Sequence, residues 1–330
     1  MGQLVAAFGS SHSVMLAATR GDWIAGFRES DRRMPLCDKG GTPRSYEELL
    51  AEAPPDAETK VTPERMGEAY ERAHKAMACL RRRIEAVQLD ALIIVGDDQH
   101  ELFQDAMMPA LGIYYGDTIR NAARGNLKDE DWYARAQSQR LEPERDAHYP
   151  VHSSLALHLI ERLTEAEFDV CALKELHPEQ YEGHAYSNIH RIYLAGRNLP
   201  VVPILLNTYY PPNPVPPKRC VRLGRELQQA IRSYTADIHV GLLASGGLSH
   251  FVVDEELDRG VIKALRKNDL DYLLGLDPKR LQAGSSEIRS WIVAAAASAA
   301  AGLKLEWVEY IPAYRTPALT GIGLGFARWL

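Results

Sequence analysis

Asp90-Ala-Leu-Ile-Ile-Val-Gly96, followed at once by Asp97-Asp-Gln-His-Glu101, is the stretch that decides the fold. Its apolar run is short, rich in branched side chains and closed by glycine. That pattern predicts a strand buried on both faces, as in a parallel sheet covered by helices. The polar cluster behind it then falls at the strand's carboxyl end, where open α/β sheets gather their ligands.

Reading outward, further strands are expected at Leu4–Phe8, Met107–Tyr115, Asp169–Leu173, Leu199–Leu206 and Ile238–Ala244, with Leu305–Tyr310 as the last. Between them lie amphipathic stretches. Thr62-Pro63-Glu64 is a helix start, with an N-cap threonine, proline at the first helical position and an acid in the first turn. Helical spacing continues to about Val87, and further helices are expected at Ser45–Ala53, Val151–Glu167, Arg219–Ser233, Asp254–Lys267 and Ser286–Ala301. This alternation predicts an α/β fold: a single domain over residues 1–330, with a mostly parallel or mixed central sheet flanked by helices and an active site at strand carboxyl ends. Residues 20–60, punctuated by Pro and Gly, read as a loop-rich lid or excursion. Residues 116–147, rich in charge, read as a surface excursion.

Composition narrows the function. The 330 residues carry Lys+Arg 38 against Asp+Glu 44, a formal charge of −6, which argues against a nucleic-acid surface. Four scattered cysteines without a CxxC pair exclude a zinc ribbon and argue against a disulfide scaffold. They point to a reducing, cytoplasmic setting. The small-apolar run Trp291–Leu303 falls short of the roughly 20 residues that span a bilayer, so no membrane partner is expected. Eleven histidines are the feature to follow, because histidine serves both as metal ligand and as general base.

Three expected strand ends carry histidine: Gly9-Ser-Ser-His12, Gly96-Asp-Asp-Gln-His100 and Ala244-Ser-Gly-Gly-Leu-Ser-His250. Each alone is an ordinary loop residue; together they would converge on one site. Glu287, in Gly284-Ser-Ser-Glu-Ile-Arg-Ser-Trp291, falls in the first turn of a helix, where the helix dipole alone favours an acid.

Taken in order, these motifs resemble the class III extradiol ring-cleaving dioxygenases, similar to the protocatechuate 4,5-dioxygenase β subunit and nearest to the 3-O-methylgallate dioxygenase-like members. The resemblance rests on Ser10-Ser-His12, the Val-Gly-Asp-Asp strand end with Phe103, Asn207 with the following Tyr-Pro-Pro, Lys218-Arg-Cys-Val-Arg-Leu-Gly224, Gly246-Gly-Leu-Ser-His250, Gly284-Ser-Ser-Glu287 with Trp291, and Tyr310-Ile-Pro-Ala313. It implies an Fe(II) cofactor held by two histidines and one carboxylate. The substrates implied are dioxygen and a small aromatic catechol or ortho-aminophenol. His12 and Glu287 match metal ligands, His250 matches the acid/base histidine, and His184 resembles a histidine that contacts substrate.

The second metal histidine departs from the family's Asn-Asp-His. Its column falls on Gln99, and His100 stands one residue late, so either residue could complete the site; imidazole suits Fe(II) better and favours His100. Asp97, Asp98 and Glu101 would then orient the ligands from behind. Tyr209 and Tyr210, beside a proline run, are expected walls of a substrate pocket. A homodimer and closure of the pocket by a small helper subunit both stay open. So do two other functions: non-dioxygenase metal chemistry on the same scaffold, and a non-catalytic binding protein that keeps the fold.

Overall fold

A computed structural model describes residues 1–125 and 131–330. In chain order its strands are β1 (Gln3–Ser10), β2 (Leu36–Cys37), β3 (Pro43–Arg44), β4 (Ala91–Gly96), β5 (Leu111–Tyr114), β6 (Thr118–Asn121), β7 (Ala147–Pro150), β8 (Cys171–Leu173), β9 (Val201–Leu206), β10 (His239–Ser245), β11 (His250–Val252), β12 (Leu305–Tyr314) and β13 (Thr320–Trp329). Nine of them form one mixed sheet in the order β11-β13-β1-β10-β4-β9-β5-β8, with β12 also pairing β13. The centre, β1-β10-β4-β9, is parallel, whereas β13 runs antiparallel to its three neighbours and β5 antiparallel to β9. The expected α/β class is therefore the observed one.

Every residue of β4 is buried, and the pleat sends them alternately to two cores. Ala91, Ile93 and Val95 join Leu159, Leu227, Val261 and Ile292 from the helices Ser153–Glu165, Pro217–Ser233, Glu255–Lys267 and Ile288–Ala301. Leu92 and Ile94 face the other way, toward Leu80 and Ile84 of the helix Pro63–Glu85 and toward Trp23 and Phe27. The cap predicted for Pro63–Glu85 is present: Thr62 Oγ1 accepts from the Arg65 amide at 3.3 Å. Among the described residues, no helix is long and apolar enough to cross a membrane.

Three departures from the expected layout bear on the site. The last strand is β13 rather than β12, because Thr320-Gly-Ile-Gly-Leu-Gly-Phe326 hides a strand behind glycines, which are depleted in strands. Ile322, Leu324 and Phe326 fill a core from one face. On the other face a Cβ at Gly325 would stand 3.1 Å from the Trp291 ring, and one at Gly323 2.1 Å from Asp258 Oδ2. These glycines mark close approach.

The segment 116–147 is also more than a surface excursion. Residues 126–130 of it lie outside the described residues, but Ile119 and Ala136 are buried, and Trp132 meets the Phe27 ring edge-on at 4.8 Å. Among its described charges, Arg120 and Asp146 pair at 2.7 Å. Third, residues 20–60 carry two helical segments that were not expected, Asp22–Gly26 and Phe27–Asp31, which bury Trp23 and Phe27, beside the short helix that was. The helix Tyr46–Ala51 starts in a reciprocal capping box between Ser45 and Glu48. Leu36, Tyr46 and Leu49 pack on Val252 of β11.

Candidate metal centre

The parallel register brings the carboxyl ends of β1, β4 and β10 side by side: Ser10 pairs Ser245, and Val95 pairs Ala244. Chain leaving β1 delivers His12, and chain leaving β4 delivers Asp97. The helix Ile288–Ala301 brings Glu287 to the same point, locked there by Trp291, whose indole N–H donates to Gly246 O at 2.9 Å. His184 arrives from the first residue of the helix His184–Ile192.

One donor atom from each of His12, Asp97, His184 and Glu287 lies within 4.8 Å of the others, an arrangement that could hold a metal ion. His12 Nε2 stands 3.4 Å from Glu287 Oε1 and 3.8 Å from Asp97 Oδ1, and His184 Nε2 is 3.7 Å from Asp97 Oδ1. Three of these atoms, His12 Nε2, Asp97 Oδ1 and His184 Nε2, are buried without a hydrogen-bond partner. Buried polar atoms normally find partners, so three aimed at one point have the chemistry of a ligand set.

Hydrogen bonds behind the imidazoles fix which nitrogen faces inward. The Ser245 hydroxyl donates its one hydrogen to Ala185 O at 2.6 Å, so it accepts from His12 Nδ1 at 2.9 Å and leaves Nε2 as the free lone pair of a neutral ring. His184 Nδ1 lies 2.6 Å from Glu101 Oε2, and the same carboxylate accepts the His184 backbone amide at 2.9 Å. Neutral His184 therefore also presents Nε2. A carboxylate behind a histidine is the usual support of a metal-bound imidazole.

The electrostatics agree. Burial alone would raise the Glu101 carboxyl, but the His184 ring and Arg140 outweigh it and hold it at about 2. Burial likewise disfavours charge on His184, yet Glu101 and Asp97 raise it to about 9. Burial raises Asp97, helped by the neighbouring Glu287 charge. Glu287 itself stays well below the usual carboxylate range, because His250 and His12 overcome its burial. Negative charge that draws protons onto these rings would equally draw a divalent cation.

His250 lies beside this group. Its Nδ1 donates to Leu248 O at 2.8 Å, and its Nε2 is 3.2 Å from Glu287 Oε1. The Ser285 hydroxyl accepts from the His250 amide at 3.0 Å and donates to its carbonyl at 3.2 Å. Burial would lower the imidazole, but Glu287 raises it above the ordinary histidine value. A Cβ at Gly284 would stand 1.8 Å from His250 Cδ2, so only glycine fits there. Gly284→Ala should therefore displace the His250 ring. A crystal structure of the variant would check it, and an unmoved ring would contradict it.

His12, His184, His250 and Glu287 line one cavity of about 430 Å³, in the range of roughly 300–1,000 Å³ common for small-molecule sites. Gln99 lines it too, its amide donating to Asp97 Oδ2 at 3.2 Å. His100 stands apart. A left-handed backbone (φ 61°) turns its ring flat onto Tyr210, with centroids 3.9 Å apart, and Nε2 lies 3.0 Å from Asp105. Tyr209 and Tyr210 are not among the lining residues, although Tyr209 lies close enough to Glu287 and Asp97 to feel their charge. Asp98 caps the loop, accepting the amides of Leu102 and Phe103, and burial pushes its carboxyl up to about 6.

Sequence reasoning missed Ser245, Tyr133 and Arg315 at this site. Of these, Ser245 has a readable signal, standing at a strand end within Ala244-Ser-Gly-Gly-Leu-Ser-His250.

Over residues 54–325 the chain matches the family described as the catalytic LigB subunit of aromatic ring-opening dioxygenase, and it belongs to that family. It is also similar to a gallate dioxygenase of Pseudomonas putida strain KT2440, with 30% identity over 106 residues, or 32% of this chain. The chain spans about 30% of the length of that curated relative. The resemblance read from the motifs is thus borne out at the level of aromatic ring-opening dioxygenases.

Proposed function

We propose that this protein is an extradiol dioxygenase that opens the ring of a catechol-type or ortho-aminophenol substrate, using Fe(II) held by His12, His184 and Glu287 with Asp97 at its side. The convergence of the unpartnered His12 Nε2, Asp97 Oδ1 and His184 Nε2 beside Glu287 carries the reading. Two imidazoles with carboxylate oxygens suit Fe(II). When bound, Fe(II) would supply a Lewis acid with open positions for the two adjacent substrate donors and for dioxygen.

The chain's own residues supply the rest. His250, with Nδ1 tied to Leu248 O, offers Nε2 to take a proton from a substrate hydroxyl and return it later. Ser245 and Glu101 keep the His12 and His184 rings aimed inward. The cavity holds the ring and excludes water from the reacting atoms. Gln99, beside Asp97, accounts for the departure from the family's second histidine: its amide braces Asp97, and His184 provides the second imidazole.

Anaerobic titration of metal-free protein with Fe(II) tests the proposal. The expected result is one tight site per chain, weakened about 10–100-fold by Glu101→Gln, the usual cost of removing a partner that orients a metal ligand. No tight site in the folded wild-type protein would overturn it.

A further inference from the structure

The turn that carries His250 is held from behind by a buried carboxylate outside the cavity. Asp258, on the helix Glu255–Lys267, is fully buried. Three donors meet it: the Ser249 amide at 2.8 Å, the Ser249 hydroxyl at 2.7 Å and the Tyr310 hydroxyl at 2.8 Å. None of the three is a cation. Such a set suits the ionised form, which only accepts. Burial pushes the carboxyl up to about 6, against the pull of the Ser249 and Tyr310 hydrogen bonds. A carboxylate buried against hydroxyls and an amide costs more than a neutral side chain would, so packing alone does not account for it. What it holds is the turn Leu248-Ser249-His250. The Leu248 amide donates to Gly323 O at 2.9 Å, the Gly323 amide donates to Ser249 O at 2.8 Å, and the Asp254 amide donates to the Ser249 hydroxyl at 2.7 Å. Leu248 also supplies the carbonyl that accepts from His250 Nδ1. The set of this turn therefore decides which nitrogen of His250 faces the cavity.

We propose that Asp258 is a positioning residue for the acid–base histidine: through Ser249 it fixes the turn that presents His250 Nε2, and Tyr310 holds Asp258 in place. This rests on the proposed ring-opening function and extends it to residues that do not line the cavity. It also gives the first residue of Tyr310-Ile-Pro-Ala313 a task at the site.

The test is a double-mutant cycle on iron-loaded protein. It reads single-turnover ring opening of an ortho-diphenol, with iron affinity and anaerobic substrate affinity measured alongside. Asp258→Asn should slow ring opening about tenfold or more, the effect of losing one hydrogen bond to a charged group. Iron and substrate affinities should stay at wild-type values. In a His250→Gln background the same substitution should cost nothing further, because a residue that acts through His250 then has nothing left to position. Tyr310→Phe removes one donor and keeps the carboxylate. It should show the same pattern with a smaller loss, and it decides the outcome if Asp258→Asn does not fold. Unchanged ring opening in the single variants would overturn the assignment and leave the ring-opening reading standing. So would losses that add in the His250→Gln background, or iron affinity that falls in step with turnover. Wild-type iron-loaded protein that opens no ring would overturn both.

Discussion

His184→Ala is expected to abolish tight Fe(II) binding, whereas His100→Ala should leave it unchanged. The two histidines differ in what surrounds them. His184 is held from behind by Glu101 at 2.6 Å, its Nε2 lies 3.7 Å from Asp97 Oδ1, and its ring meets the His12 ring edge-on at 4.5 Å. His100 is flat against Tyr210 and directed to the exposed Asp105. Losing one of two imidazoles should weaken iron more than the roughly 10–100-fold that removal of an orienting partner costs. Elemental analysis after dialysis, with circular dichroism to confirm folding, reads the outcome. Iron retained by folded His184→Ala but lost from His100→Ala would move the second imidazole back to the loop after β4.

His250→Gln should retain iron and lose activity by about 10²–10⁴-fold, the range for removing a general acid–base. The ring is 8% exposed, braced by Ser285 and Leu248, and in reach of Glu287 through Nε2. Glutamine keeps a polar side chain of similar reach but has no proton to exchange near neutral pH. Stopped-flow measurements with iron-replete protein would show substrate binding intact and ring opening slowed. Equal loss of binding and turnover would instead mark His250 as a structural contact.

Much of this was legible in the chain. β4 was readable because it is apolar without a break and both faces are covered. The same reading placed chemistry at its end. His12, Glu287 and His250 came from short motifs next to strand or helix ends, where local sequence and position in the fold coincide. What escaped depends on contacts distant in sequence. Glu101 and His184 are 83 positions apart, so nothing local to Gly183-His-Ala-Tyr-Ser could show that a carboxylate orients that ring. Where the His100 ring lies turns on one backbone angle, the positive φ at His100, which few non-glycine residues adopt. β13 was concealed because its glycines make room for Trp291 and Asp258, partners that only the folded chain brings near.

Ring opening by dioxygen at these residues is tested by mass spectrometry of the product formed from an ortho-diphenol by iron-replete protein under ¹⁸O₂. The expected product is acyclic and carries two labelled oxygen atoms, with one dioxygen consumed per ring opened. An unopened ring, or an opened one whose new oxygens come from water, would contradict it.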